Sequence, residues 1–137
     1  MLVVNSAVKL RILRNFIQGP LLDKGLVLKL YSNDFTPTNA MVLGDITETT
    51  GGGYVAKGLT AGNWVIEVAE SLTGYKYVLA KTTTYQNFIF SSPGAVVYGW
   101  YLIDSFNNLM AAERLPNVPF NSESNAFVRF TPNITLF

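Results

Sequence analysis

Beyond Gly25, the chain is a series of short apolar runs, each bounded by glycine, proline, asparagine, aspartate or serine. Runs of this length that are rich in β-branched and aromatic residues are typical of β-strands. The pattern predicts eight strands, at 26–31, 54–57, 64–68, 75–79, 82–90, 96–103, 109–114 and 126–130, with a further short segment up to residue 136. Strands at this spacing predict a jelly-roll-like antiparallel β-sandwich or a related Greek key.

One run stands apart because it does not alternate between apolar and polar residues. Residues 96–103 are apolar throughout apart from Gly99, which predicts a central strand that is covered on both faces. The turn residues at 104–108 predict a hairpin that pairs this strand with residues 109–114. Four of the chain's large aromatic residues lie in predicted strands, so we expect them in the core rather than on a sugar-stacking surface. They are Trp64, Tyr98, Trp100 and Tyr101.

Residues 6–17 have a different pattern, which favours a helix capped by Ser6 and ended by Gly19 and Pro20. Alternating apolar residues in the same run leave a strand as the alternative. We therefore divide the chain into an N-terminal helical segment, 1–20, and a β-domain, 21–137. The helix either packs on its own domain or docks on another chain. Its candidate assembly surface consists of Leu10, Arg11, Leu13, Arg14, Phe16 and Ile17.

Composition narrows the function classes. The chain has 137 residues, 49% of them apolar and 14% charged, which is typical of one folded domain rather than a disordered chain. A net charge of +1 argues against a general nucleic-acid-binding protein. No apolar stretch reaches the roughly 18 residues of a membrane span, so we expect no membrane partner. We also expect no cleaved secretory signal.

Candidate chemistry is sparse. The sequence contains no cysteine and no histidine, which excludes thiol nucleophiles, imidazole bases and the usual zinc sites. The glycines at 51–53 lack the Lys-Ser/Thr that completes a phosphate-binding loop, so they predict a turn or bulge. Three carboxylate pairs could in principle serve a glycosidase, although solvated or ion-paired carboxylates explain them equally well. These pairs are Asp45 with Glu48, Glu67 with Glu70, and Asp104 with Glu113, the last beside Arg114. We predict no catalytic, cofactor-binding or metal-binding residue and no cofactor.

Four segments together resemble a known family, the small β-rich bacteriophage virion proteins that include head decoration or cement proteins. Residues 28–37 are similar to the family's opening strand and turn, and residues 53–64 to its next block. Residues 97–104 with 109–114 resemble its hairpin, where Ala111 stands in place of a frequent tryptophan. Residues 130–136 resemble its closing strand. The resemblance covers about residues 25–137.

The resemblance implies a non-enzymatic structural protein on the outer capsid surface of a virion. There it would bridge and stabilise neighbouring subunits of the major capsid protein, its expected partner, as a homotrimer. The alternative is a tail, fibre or baseplate component, or a receptor- or glycan-binding module of the virion. A carbohydrate-processing enzyme is a further alternative from a different class, and it would need a cleft with two carboxylates.

Overall fold

The computed structural model describes residues 25–74 and 76–136, with residues 135 and 136 described by their backbone alone. In these residues the fold is mainly β, with antiparallel sheets, as the sequence pattern predicts. The helical elements found there are two 3-10 turns, Leu43–Asp45 and Ala61–Asn63. The strands are β1 Leu26–Tyr31, β2 Lys57–Leu59, β3 Trp64–Glu70, β4 Lys76–Thr82, β5 Gln86–Ile89, β6 Val96–Val97, β7 Gly99–Ile103, β8 Leu109–Arg114, β9 Phe120–Asn121, β10 Phe127–Phe130 and β11 Asn133–Leu136.

The described chain forms two compact units. The first unit comprises residues 26–58 and 87–129, and the second comprises residues 59–86 and 130–136 together with Gly25. The predicted helix at 6–17 and the boundary at residue 20 lie outside the described residues, so they remain predictions. The jelly-roll strand order also remains a prediction.

The first unit is built on the sheet order β2-β1-β7-β8, with β1 and β7 as the two inner strands. Strand β7 pairs with β1 from Val27 opposite Ile103 to Tyr31 opposite Gly99, and its other edge pairs with β8. All five residues of β7 are buried. The predictions of a central strand covered on both faces and of the hairpin with 109–114 are therefore confirmed.

The predicted strand 96–103 is interrupted at Tyr98, and in this detail the prediction is wrong. The backbone N–H of Tyr98 donates to Tyr31 O (2.8 Å), and its carbonyl accepts from Leu115 N–H (3.0 Å). Residues before the break form β6, which pairs with β9 instead of β8. A side chain at Gly99 would collide with Glu113 O and with the Tyr31 ring, so only glycine fits at the start of β7.

The second unit carries the sheet order β11-β4-β3, with β4 in the middle. One face of β4 is buried through Val78, Ala80 and Thr82. The intervening residues on the opposite face are half-buried, as expected for a strand of period two. Lys81 lies opposite Val65 in the ladder and forms an ion pair with Glu67 (3.2 Å).

The structure also shifts three predicted strand boundaries. The strand expected at 54–57 begins only at Lys57, because residues 51–54 form a turn. The run 82–90 is divided, since β4 continues to Thr82 and β5 begins at Gln86. Strand β10 begins at Phe127, after Asn125 has adopted a left-handed backbone conformation.

Candidate binding surface

Three consecutive glycines form a turn that packs closely on a neighbouring loop of the first unit. Gly51, Gly52 and Gly53 all have positive φ angles, of 85°, 62° and 79°. Tyr54 N–H donates to Gly51 O (3.0 Å), and Ser91 N–H donates to Gly52 O (2.9 Å). A Cβ on Gly52 would lie 2.7 Å from the Ser122 hydroxyl oxygen. The predicted turn is confirmed, and its glycines are needed for both conformation and space.

Beyond the bond between Gly52 and Ser91, the two chain segments enclose a groove along β5. The groove has a volume of about 340 Å³. One wall is the segment 53–57 and the other is residues 87–90. The rings of Tyr54 and Phe88 stack beside it, with centroids 6.0 Å apart and an interplanar angle of 27°. We call this feature the β5 groove.

The tyrosine beside the β5 groove is held by a hydrogen-bonded chain. Its hydroxyl donates to Glu48 Oε1 (3.2 Å) and accepts from Leu30 N–H (3.1 Å). Glu48 is also paired with Lys29 Nζ (3.2 Å). Burial raises the pKa of Tyr54 far above its usual value of 10, and the Glu48 carboxylate adds to this effect. Tyr54 is therefore a neutral, fixed wall of the groove over the physiological range.

Large apolar side chains are exposed next to the groove. Phe90 N–H donates to Ala126 O (2.8 Å), and Asn125 N–H donates to Phe90 O (2.9 Å). Two residues therefore lie opposite Phe90, which is a β-bulge, and the pairing of β5 with β10 starts there. Continuing this antiparallel ladder by one residue brings Ile89 opposite Phe127. Ile89 is 63% exposed and Phe127 52%, while Val55, on the other wall of the groove, is 74% exposed. We call Val55, Ile89 and Phe127 the exposed strip.

A second cavity, of about 200 Å³, includes Phe127 in its lining. Its other lining residues are Leu115, Pro116, Asn117, Val118, Phe120, Val128 and Arg129. The guanidinium of Arg129 lies 4.8 Å from the centre of the Phe127 ring, a cation–π distance. The residues that line this cavity and the β5 groove include one arginine and one lysine but no aspartate or glutamate. The surface is thus apolar with a positive edge.

The carboxylates singled out from the sequence have contacts within the fold. Glu48 binds Tyr54 and Lys29, and Glu67 binds Lys81. Asp45 Oδ2 accepts from Val42 N–H (3.0 Å). Glu70 lies opposite Lys76 in the β3–β4 ladder, and Glu113 Oε2 accepts from Trp100 Nε1–H (3.2 Å). Arg114, which follows Glu113, forms its ion pair with Asp34 (2.6 Å).

Asp104 organises the turn between β7 and β8. Its carboxylate accepts hydrogen bonds from Phe106 N–H (2.8 Å), Asn108 N–H (2.9 Å) and Asn108 Nδ2–H (2.8 Å). Burial acts to raise the pKa of Asp104, but these three donors outweigh it and leave the pKa below its usual value of 3.8. The carboxylate is therefore ionised and has a structural role in the hairpin.

The prediction that the large aromatic residues lie in the core is confirmed for three of the four. Trp100, Tyr101 and Trp64 are buried, at 1%, 4% and 4% exposure, which leaves no face open for a sugar ring. Tyr98 is half-buried and packs under the Arg114 guanidinium (5.3 Å). Burial is the main reason that the pKa of Tyr101 rises to about 12. The exposed aromatic side chains of the described residues are Tyr85, Phe106 and Phe127.

A different groove, within the second unit, combines hydroxyl groups with an exposed aromatic ring. It has a volume of about 640 Å³ and is lined by Lys81, Thr82, Thr83, Thr84, Tyr85 and Thr131. Tyr85 is 55% exposed. The Thr82 hydroxyl donates to Thr84 O (2.7 Å), which fixes one wall. We call this feature the threonine groove.

Sequence reasoning did not identify the β5 groove. One signal was present, because Phe88 and Phe90 alternate with Asn87 and Ile89, so one face of this strand is expected to be buried and the other open. The candidate assembly residues Leu10, Arg11, Leu13, Arg14, Phe16 and Ile17 lie outside the described residues, and their role stays a prediction.

Within 25–74 and 76–136, no group of three or more potential metal-ligating side chains occurs. Among the helices of the same residues, none has the length and apolar character needed to span a bilayer. Comparison with protein-family models, curated proteins and solved structures gives no match to this chain.

Proposed function

We propose that this protein is a non-enzymatic structural component of a phage virion that binds the outer capsid surface and bridges neighbouring major capsid subunits. Many bound copies would add association free energy to the shell and so resist internal DNA pressure. The proposal starts from the four sequence segments that resemble phage decoration proteins. It also includes self-association, with a homotrimer as the expected form.

The exposed strip is the observation that carries this proposal. Val55, Ile89 and Phe127 place apolar surface in water, and this surface adjoins two cavities lined without carboxylates. Clustered exposed apolar side chains with an aromatic and an arginine are typical of protein–protein contact sites. The polar groups nearby, such as Glu48 and Tyr54, already bond to one another and so support a rigid contact surface.

The decisive experiment locates the protein on intact particles. Electron microscopy of virions produced from a genome that encodes this chain should show its density on the outside of the head, between coat subunits. Particles that lack the protein should release DNA at a lower temperature, and adding purified protein should restore the wild-type release temperature. Density at the tail tip, or absence of the protein from purified particles, would contradict the proposal.

A second candidate function, glycan binding by a receptor-binding module, is favoured by the threonine groove. The exposed Tyr85 ring offers a stacking surface, and the threonine hydroxyls offer hydrogen bonds, which together suit a sugar. A glycan array probed with the wild-type protein and with Tyr85→Ala tests this function. Binding that disappears in Tyr85→Ala, but not in a Tyr77→Phe control outside the groove, would support it.

A further inference from the structure

We propose that the free edge of β5 pairs with an extended acidic–apolar segment of the partner chain, which occupies the β5 groove. The inference rests on the proposed function, in which that partner is the major capsid protein, and it names the chemistry of the segment. The segment would add a strand to the β5–β10 pair, place apolar side chains against the exposed strip and place a carboxylate beside Lys57.

The pairing pattern of β5 leaves one edge open. In the part of the chain that the structure describes, β10 is the only strand hydrogen-bonded to β5. Both backbone groups of Phe90 bond to residues on the β10 side. Because backbone direction alternates along a strand, the N–H and C=O groups of Ile89 and Asn87 point the other way, toward the groove. Such an edge is a template for an added strand.

A polar side chain in the groove also needs a partner. Among the described residues, Asn87 Oδ1 is buried and accepts no hydrogen bond. A buried acceptor without a donor costs free energy, typically about 1–3 kcal/mol. Asn87 lines the groove, so a rotation of its side chain would let this oxygen accept a hydrogen bond from an N–H group of an inserted segment. This atom is a second observation, separate from the open edge, that fits a polar occupant of the groove.

Charge selects the type of segment. Lys57 Nζ lies 5.3 Å from the centre of the Phe88 ring, and no ion pair links Lys57 to a carboxylate of the described residues. No acidic side chain lines the groove. A segment with carboxylates is therefore attracted, whereas one with lysines meets a like charge. Val55 and Ile89 favour apolar residues at the intervening positions.

Peptide binding tests the inference directly. The probe is a blocked peptide of about eight residues, a typical strand length, in which valine and glutamate alternate. A second peptide replaces each glutamate by lysine, and a third carries N-methyl groups on alternate residues, which remove the donors needed for strand pairing. We expect fluorescence anisotropy to show binding of the first peptide and at least about tenfold weaker binding of the other two. Equal binding of all three peptides, or no binding of the first, would overturn the inference.

Two variants, each paired with a control variant, locate the site. Lys57→Glu should weaken binding of the acidic peptide at least about tenfold, whereas Lys76→Glu, an exposed lysine of the second unit, should leave it unchanged. Ile89→Pro removes one N–H from the open edge and keeps the pairing with β10, so it should abolish binding. Ile89→Val retains both the N–H and the apolar side chain and should bind normally. If Ile89→Pro fails to fold, the N-methylated peptide still tests the backbone pairing.

A binding experiment with virions distinguishes a failure of this inference from a failure of the proposed function. Fluorescent wild-type protein and Lys57→Glu are added separately to virions that lack the protein. Binding of the wild type alone is the expected result. If both bind equally, the groove inference is wrong and the capsid function stands. If neither binds but the acidic peptide does, the capsid function is wrong and the groove assignment stands. Sedimentation that shows an oligomer dispersed by Lys57→Glu would identify a second copy as the occupant and overturn the inference.

Discussion

Two antiparallel strand pairs, β7–β8 and β5–β10, differ in how many of their edges and faces are covered by neighbouring residues. In the first pair, β7 is buried on both faces and paired on both edges, and Asp104 closes the turn with three hydrogen bonds. In the second pair, within the part of the chain that the structure describes, β5 has one edge without a partner strand, an exposed apolar side chain at Ile89 and a buried amide oxygen without a donor. The first pair has the contacts that stabilise a fold, whereas the second fits the strand-pairing site that we propose.

The substitution expected to cause the largest loss of stability is Trp100→Ala. Trp100 is buried in β7 and donates to Glu113, so its removal leaves a large cavity and should cost about 3–5 kcal/mol of unfolding free energy. Urea denaturation of the purified protein measures this loss. A midpoint unchanged by the substitution would show that the indole is exposed and would reopen the sugar-platform interpretation.

A smaller loss of unfolding free energy is expected for a substitution where the turn at residues 51–53 meets the neighbouring loop. The buried Ser122 hydroxyl accepts from Ala95 N–H (2.9 Å) and donates to Ser92 O (2.9 Å). Ser122→Ala leaves both backbone groups without this partner, so we expect about 1–3 kcal/mol of destabilisation in the same assay. Ser124→Ala, at an exposed position, is the control and should stay near wild type. Equal stability of the two variants would contradict the role of Ser122.

Low pH should destabilise the β7–β8 hairpin, because it protonates the Asp104 carboxylate that holds the turn together. The pKa of Asp104 is lower in the folded protein than its usual value of 3.8, so the carboxylate contributes stability that is present above about that pH. This contribution is lost as the pH falls through the lower, folded pKa. Asp104→Asn should therefore flatten part of the acid limb in a plot of melting temperature against pH. An unchanged acid limb in Asp104→Asn would refute this assignment.

The smallest effect on stability is expected at the β5–β10 pair. Ile89→Ser removes an exposed side chain and should change the unfolding free energy by no more than about 0.5 kcal/mol. The same variant should reduce particle binding, because it interrupts the exposed strip. Phe106→Ser, also highly exposed but in the turn between β7 and β8, is the matched control for both measurements. A large loss of stability in Ile89→Ser would place this side chain in the core.

Local sequence pattern sufficed for the mainly β class, for the buried central strand at 99–103 with its hairpin, and for the turn at 51–53. Each of these depends on neighbouring residues, through apolar runs, alternation and the conformational freedom of glycine. The resemblance to phage decoration proteins, which rests on short segments of the sequence, stays a prediction.

Only the tertiary structure decided the break in the strand at Tyr98, the contact of Tyr54 and the position of the β5 groove. These features depend on which distant segments of the chain pair with one another. The break at Tyr98 comes from its hydrogen bonds to Tyr31 and Leu115. The contact between Tyr54 and Glu48 requires a folded loop. The β5 groove requires segments 53–57 and 87–90, which are distant in the sequence, to lie side by side. A strand edge is open when no other strand pairs with it. The sequence of one strand cannot show this, because it depends on where the other strands lie.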